Sequence, residues 1–347
     1  MQKTVFHKFK SFIVNFWLPT VLALTAMGFI TYLQLNRVYE KKLDTKIFEK
    51  KDFQAFEKYT KKNGAQNAYQ ALKNYFKNND PQAHDFAHVV GIVNYEKNGE
   101  SGLGICDTAY NYGCTHGFIE AYLAKNGIDS VGKIENSCQE LGPLHAPSCL
   151  HGIGHGLMMN ASYILGSALE NCQKLQESSW IYCFDGVFME RIVGSMQDSA
   201  DKLQINTQNL DEPCKSLEQM YQDQCWRNQV TLWFQYFQNR PEKVLQKCTG
   251  LDQIYQQTCF ESTGLINVMN HHDDISGLLS ACSLSENNLI DSCLIGELKE
   301  LLFEGQNPQV AKSLCGYVSS ANSQSCADLF NQLFSEYQKR FGQKQVI

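Results

Sequence analysis

The sequence predicts an all-α protein in which about seven to eight helical hairpins stack as a solenoid. The first observation is that its fourteen cysteines fall into seven pairs, six of them with the spacing C-x10-C. The second is that these six pairs recur at an almost constant step, with one longer step between Cys172 and Cys214. A fixed period of roughly 34 residues, the step seen here, is typical of helical-hairpin repeats. The third is an apolar N-terminal run over residues 12–35, which predicts a transmembrane helix before the repeats.

The even number of cysteines and their constant gap predict one disulfide in each repeat. The pairs are Cys106/Cys114, Cys138/Cys149, Cys172/Cys183, Cys214/Cys225, Cys248/Cys259, Cys282/Cys293 and Cys315/Cys326. The alternative pairing would join successive repeats, for example Cys225 to Cys248. We favour pairing within the repeat because the ten-residue gap persists where the repeat length changes. Disulfides persist in oxidising compartments, so the pairs also predict an extracytoplasmic domain. The alternative is a cytoplasmic domain whose cysteines are small core residues.

The sequence predicts that the chain consists of five segments. Residues 1–11 form a cytoplasmic tail, and 12–35 form an uncleaved transmembrane signal anchor. Residues 36–62, rich in Lys and Glu, form a helical stalk. Residues 63–340 form the extracytoplasmic repeat domain, and 341–347 are a tail. Basic residues flank the span on both sides, so the cysteines rather than the charge rule indicate a single-pass membrane protein with its C-terminal domain outside.

The clearest single repeat begins at Pro241. Proline is tolerated in the first turn of a helix, so Asn239-Arg240-Pro241 is a helix start. A short first helix is expected to end near Cys248, and a longer second helix to carry Cys259. The start signal recurs at Asp80-Pro81 and at Asn307-Pro308.

These features resemble the tetratricopeptide and Sel1-like class of helical repeats, in a disulfide-bridged version. The resemblance covers roughly residues 63–340 and rests on the period, the helix pairing and the placement of the cysteines. It implies a right-handed α-solenoid whose groove binds a protein or peptide. It concerns the architecture alone and identifies no particular family.

The charge balance argues against one class of partner. Acidic residues outnumber basic ones by 36 to 30, a net charge of −6. Proteins that bind nucleic acid normally carry a clustered basic surface. The sequence therefore predicts no nucleic-acid partner.

Five of the nine histidines lie at two repeating positions. Three residues follow the second cysteine of their repeats by two positions: His116, His151 and Asp185. His84 lies about one period before His116, in the hairpin that has no cysteine. The steps between these four positions match the period of the cysteines. Four residues further along the same helices are His88, Glu120 and His155. Residues four apart share a helix face, so successive second helices are expected to present pairs of metal ligands toward one another.

Imidazole and carboxylate groups that converge in this way predict one or two divalent metal ions, with zinc, iron, manganese or copper as candidates. The predicted ligands are His84, His88, His116, His151, His155 and Asp185. Glu120 and Glu190 are predicted as the general base of a metal-dependent reaction. The competing interpretation is a structural polar layer, in which the neighbouring glycines serve only close helix packing.

Two functions remain open on the sequence alone. The first is a membrane-anchored protein with a histidine/carboxylate metal centre in its N-terminal repeats, which is an enzyme if the metal is catalytic. The second is a non-catalytic scaffold for envelope assembly, whose groove binds a protein or peptide and whose histidines are structural. In that case aromatic residues of the C-terminal repeats would matter more: Trp226, Trp233, Phe234, Tyr236 and Phe237.

Overall fold

A computed structural model describes residues 43–76, 80–143, 145–196, 208–271, 274–283, 289–304, 307–317 and 323–341. The chain divides into two compact units, residues 1–55 and 56–347. The predicted cytoplasmic tail and transmembrane span, 1–35, lie outside the described residues, as do positions 342–347 of the C-terminal tail. Among the helices that are described, none combines the length and apolar character needed to cross a bilayer.

The all-α prediction is confirmed for the residues that the structure describes, which contain helices and turns but no strand. The α-helices are α1 Lys46–Glu49, α2 Phe53–Asn63, α3 Ala65–Tyr75, α4 Pro81–Asn98, α5 Gly113–Asn126, α6 Val131–Glu140, α7 Ala146–Asn160, α8 Leu165–Cys172, α9 Glu177–Met196, α10 Gln219–Tyr236, α11 Pro241–Thr249, α12 Gln253–His271, α13 Ile275–Cys282, α14 Ile290–Lys299, α15 Pro308–Leu314 and α16 Ser323–Phe341. The described part of the chain also contains three 3-10 helices, Gly99–Ile105, Ile128–Ser130 and Cys214–Ser216, and one π-helix, Glu300–Glu304. Of the predicted stalk, 36–62, the described part contains α1 and most of α2.

The helix starts predicted at prolines are confirmed. Pro81, Pro241 and Pro308 each begin a helix. Asp80 caps α4 by accepting a hydrogen bond from the backbone N–H of Gln82, and Asn307 caps α15 by accepting from Val310. Such side chains satisfy backbone donors that the first helical turn leaves unpaired.

All seven predicted disulfides form within hairpins, and no cysteine is left free. In most hairpins the first cysteine lies at the end of the short helix and the second lies early in the long helix. In the hairpins of Cys106 and Cys214 a 3-10 helix replaces the short α-helix. The alternative pairing between successive repeats is therefore wrong. The bridges close loops of similar size, which limits the conformational entropy of the unfolded chain.

The long helices of consecutive hairpins pack against one another in order: α4 on α5, α5 on α7, α7 on α9, α9 on α10, α10 on α12 and α12 on α14. Each hairpin thus contacts mainly its neighbours, as a repeat protein requires. A continuous apolar core runs from Tyr95 to Phe260, and a second cluster joins Val268 to Tyr337. This packing sets equivalent positions of successive long helices side by side.

Glycine pairs allow three of these helix contacts to be very close. A Cβ on Gly117 would overlap the carbonyl group of His88, and one on Gly91 would overlap that of Cys114. The same reciprocal arrangement joins Gly154 with Gly186 between α7 and α9, and Gly264 with Gly296 between α12 and α14. Close helix packing, the role that the structural interpretation gave to the glycines, is observed at these positions.

Most of the aromatic residues assigned to a binding surface in the scaffold hypothesis lie in the core. Trp226, Trp233 and Phe234 are buried, whereas Tyr236 is exposed. Trp233 also donates a hydrogen bond to the carbonyl oxygen of Leu210, which fixes its ring inside the hairpin. These three side chains stabilise the repeats and are not available to a partner, as expected for some members of this set. Binding of a protein or peptide in the groove stays a prediction.

Candidate metal centre

The five histidines predicted from the repeat converge at one place, where α4, α5, α7 and α9 pack side by side. The ring centre of His116 lies 5.7 Å from those of His84 and His88. It lies 5.6 Å from that of His151 and 5.2 Å from that of His155. His116 therefore occupies the middle of the cluster, between a histidine pair on α4 and a histidine pair on α7.

The two flanking pairs have the same internal geometry. The Nε2 atoms of His84 and His88 are 3.0 Å apart, and those of His151 and His155 are 2.9 Å apart. Each pair is spaced four residues along one helix, so both rings project from the same face. In both pairs the Nε2 atom of one ring points at the Nε2 atom of the other.

Oxygen atoms occupy the Nδ1 side of all four paired rings. Nδ1 of His84 is 2.7 Å from the carbonyl oxygen of Tyr110. Glu120 lies 2.9 Å from Nδ1 of His88. Carbonyl and carboxylate oxygens accept hydrogen bonds, so each Nδ1 carries the proton and donates it. Asp185 and Glu190 make the equivalent contacts, at 2.9 Å, with His151 and His155.

These contacts leave lone pairs on the Nε2 atoms. Two neutral imidazoles that each hold the proton on Nδ1 would face each other through Nε2 lone pairs, which is repulsive at hydrogen-bond distance unless a cation lies between them. A bound proton is one such cation, and a metal ion is another. The Nε2 side of each pair is therefore built to hold a positive charge.

His116 lacks the support that the other four histidines have. Its side chain is 5% exposed, and neither ring nitrogen has a hydrogen-bond partner. A buried polar group without a partner costs free energy, about 1–3 kcal/mol for a neutral donor or acceptor. Gly152 on α7 makes room for the ring, because a Cβ there would lie 2.9 Å from Cδ2 of His116.

Burial dominates the electrostatics of the ring nitrogens. Burial and the neighbouring His88 lower the pKa of His84 to about 3. The pKa values of His116 and His155 are lowered well below the usual value, chiefly by burial and then by neighbouring histidines. For His88, burial acts in the same direction, but the charge and hydrogen bond of Glu120 outweigh it and raise the pKa. At neutral pH most of the cluster is therefore uncharged, the form in which imidazole binds metals.

The carboxylates are held by contacts of their own. Burial would raise the pKa of Asp185, but its hydrogen bond with His151, together with nearby Arg227 and Asn228, lowers it to about 2. Burial raises the pKa of Glu190, with partial compensation from the hydroxyl of Tyr163, which donates to Oε1 over 2.8 Å. Asp185 and Glu190 are thus each fixed in position by a second partner as well as by a histidine.

The backbone beside the cluster is strained. Tyr110, Asn111 and Tyr112 all have positive φ, between 51° and 60°, and Tyr163 has a φ of 62°. Residues other than glycine rarely adopt this conformation, and it concentrates at functional sites. Two of these residues contact the cluster: the carbonyl oxygen of Tyr110 lies beside His84, and the hydroxyl of Tyr163 donates to Glu190. The sequence pattern offered no signal for either tyrosine, because both act from the segments between helices.

The structure shifts one predicted equivalence by a helical turn. The sequence period placed His84 at the position of His116 and His151. The glycine contacts instead make His88 equivalent to His151. His88 lies three residues before Gly91, and His151 lies three residues before Gly154, and each of these glycines contacts the facing helix. The first hairpin has no cysteine to set its register, and the period alone could not resolve a four-residue offset.

Ring nitrogens of His84, His88 and His116 all lie within 4.8 Å of one another and form a group able to hold a metal ion. A second group has its sulfur and carboxylate oxygen atoms equally close together: Cys282, Cys293 and Glu297. Its two sulfur atoms form a disulfide, which removes them as thiolate ligands. Within the described residues the histidine cluster is therefore the stronger candidate centre. The roles assigned to individual residues as ligands or bases stay predictions.

Comparison with known proteins adds no family to this description. The chain matches no protein family, no curated protein sequence and no solved structure.

Proposed function

We propose that this protein is a metalloprotein that binds a divalent transition-metal ion through His84, His88 and His116. One observation carries the proposal: the paired imidazoles have oxygen atoms beside Nδ1 and face each other through Nε2, next to a buried histidine whose ring nitrogens have no partner. Histidines that bind metals characteristically donate the other ring N–H to a carboxylate or a backbone carbonyl. That contact fixes the tautomer and orients the ligand.

The distances fit a shared ion. Metal–nitrogen bonds of about 2.0–2.1 Å place two ligand nitrogens of one ion roughly 3 Å apart. The Nε2 atoms of His84 and His88 are 3.0 Å apart. A ligand set made of imidazoles favours zinc, copper or iron over calcium or magnesium, and also over manganese, which prefers oxygen ligands.

The carboxylates have a different role from the one that their spacing suggested. Asp185 was predicted as a ligand, and Glu120 and Glu190 as general bases. Their oxygens lie on Nδ1 atoms of the histidines, so we assign all three as positioning residues. They orient the imidazoles and compensate the charge of the ion. Their removal is expected to weaken metal binding before it affects any reaction.

Access to the cluster supports a reactive centre over a purely structural one. The side chains of His88 and His151 are 19% and 14% exposed, and that of Asp185 is 25% exposed. Three protein ligands leave a coordination position open, which is the arrangement of catalytic sites. When bound there, a metal would polarise a small substrate or exchange electrons with it.

We further propose that the repeats wind as a right-handed solenoid of the tetratricopeptide or Sel1-like kind, and that residues 12–35 anchor the chain in a membrane. The repeat domain then lies on the extracytoplasmic side, where its disulfides are stable. The groove of such a solenoid could bind a protein or peptide, but the buried aromatics favour the metal centre as the main function.

Metal analysis of protein made without a histidine tag in an oxidising compartment tests the proposal. The parent protein should hold at least one zinc, copper or iron ion per chain after incubation and desalting. His84→Gln and His116→Gln should each hold less metal than the parent, whereas His271→Gln, at the end of α12, should hold as much as the parent. Circular dichroism and a count of disulfides show whether each variant is folded. A folded parent that retains none of these metals would overturn the proposal.

A further inference from the structure

The cluster contains more nitrogen ligands than one ion needs. His84, His88 and His116 complete one group, and His151 and His155 remain on the other side of His116. This second pair has the same Nε2 separation and the same oxygen support at Nδ1 as the first. Nothing assigned to the first ion accounts for its construction.

His116 lies at similar distances from both pairs. Three imidazoles bound to one ion have ring centres about 4.5–6 Å apart, given metal–nitrogen bonds of about 2.0–2.1 Å. The ring centres of His84, His88 and His116 are 4.6, 5.7 and 5.7 Å apart. Those of His151, His155 and His116 are 4.8, 5.6 and 5.2 Å apart. Both sets of ring centres fall in the range expected for three ligands of a shared ion, and in the first set one ring nitrogen of each histidine also lies within 4.8 Å of the others.

We propose that the centre holds two metal ions and that His116 bridges them. The first ion is bound by His84, His88 and one nitrogen of His116, and the second by His151, His155 and its other nitrogen. This inference rests on the proposed metal-binding function and extends it. It explains why both nitrogens of one deeply buried ring lack a partner in the protein.

The charges support two ions. A bridging imidazole must lose its ring proton, which leaves to solvent when the second ion binds, so His116 then carries one negative charge. Glu120, Asp185 and Glu190 add three more through their contacts with His88, His151 and His155. These four negative charges balance two divalent cations, as burial of charge requires.

Copper(II) is a suitable probe, because the protein has no free thiol that would reduce it. The parent protein should bind two Cu²⁺ ions per chain. Exchange coupling through the bridge should reduce its paramagnetic resonance signal well below that of two isolated ions. The double variant His151→Gln/His155→Gln should bind one ion, half the parent value. His116→Gln should restore the full signal of whatever copper it retains, while His271→Gln should match the parent.

The outcomes separate this inference from the function on which it rests. If the parent binds one ion, and the double variant binds one as well, the second site is refuted and the metalloprotein proposal stands. If the parent binds two ions with an uncoupled signal, the bridge is refuted. If the parent binds none, the metalloprotein proposal itself fails. Should His116→Gln not fold, the parent spectrum and the double variant decide the matter.

Discussion

At the contact between α4 and α5, Gly91 and Gly117 lie against the backbone of the facing helix. At the contact between α12 and α14, Gly264 and Gly296 do the same. His88 and Glu261 are equivalent, because each lies three residues before the first glycine of its contact. Glu120 and Lys299 are equivalent, because each lies three residues after the second glycine. The N-terminal pair is a histidine 2.9 Å from a carboxylate, and the C-terminal pair is a carboxylate 2.8 Å from an ammonium group.

The comparison shows that one backbone arrangement carries two kinds of chemistry. In the N-terminal contact the polar side chains leave nitrogen lone pairs unused, whereas Glu261 binds both Lys299 and Arg227 and has its charge neutralised. The residue after Gly117 is Phe118, and the equivalent residue after Gly296 is Glu297, which accepts a hydrogen bond from Asn267. The C-terminal contact therefore neutralises the charge of Glu261 within the protein, although Oε2 of Glu297 and Oδ1 of Asn267 are buried without a partner. The N-terminal contact instead leaves ring nitrogens of histidines available to a cation.

Substitution of the glycines should have the largest effect. Gly117→Ala and Gly296→Ala each place a methyl group on a facing carbonyl, so each should lower the free energy of unfolding by about 1–3 kcal/mol or more. Thermal melting followed by circular dichroism measures this. Only Gly117→Ala should also reduce metal content. Gly132→Ala is the matched control: its Cβ meets nothing within 4 Å, so it should be neutral or slightly stabilising.

The pH dependence of the C-terminal contact should depend on Glu297. Burial raises its pKa from 4.5 to about 8, and the hydrogen bond from Asn267 offsets this only in part. The folded state therefore holds a proton that the unfolded state releases, and this stability is lost as pH rises from 4.5 through 8. The loss is at most about 1.4 kcal/mol per pH unit. Glu297→Gln should melt at a higher temperature than the parent at pH 9 and show little difference at pH 5. An equal change at both values would contradict this assignment.

Glu120 and Lys299 occupy equivalent positions in the two contacts, so substitution of each should affect a different property. Glu120→Gln should weaken metal binding about 10–100-fold, because the histidine ligand loses a partner that orients it. Competition with a chelator of known affinity measures the change. Lys299→Met should leave metal affinity unaltered. Equal affinities for Glu120→Gln and the parent would mean that the carboxylate does not support the ligand.

Lys299→Met should have the smallest effect of these substitutions on the free energy of unfolding. The side chain of Lys299 is 41% exposed, and exposed ion pairs contribute roughly 0–1 kcal/mol. The loss should shrink further as salt concentration rises, because ions in solution screen the pair. Melting at low and at high salt tests this. A loss well above the range of exposed pairs, and independent of salt, would show that the pair is part of the core.

Much of the architecture could be predicted from local features. The spacing of Cys248 and Cys259 indicated a hairpin with its own disulfide, and Pro241 marked the first helix of that hairpin. Both signals act over a few residues, through backbone hydrogen bonds and short loop closure. The aromatic residues were harder to place, since Trp233 and Tyr236 lie three residues apart on α10, one buried and one exposed. Only the rotation of the helix against its neighbours decides between them.

The hairpin period, the disulfide partners and the histidines that share a helix face could all be predicted from the amino-acid sequence, because they follow from separation along the chain. Only the packing of the helices shows how far α4 is displaced along α5. That displacement makes His88, rather than His84, the residue of α4 that is equivalent to His151 of α7. The packing also decided that the carboxylates lie on Nδ1 atoms and that both nitrogens of His116 are buried without a partner. Such relations depend on how far one helix slides and rotates against the next, and close glycine contacts set that offset.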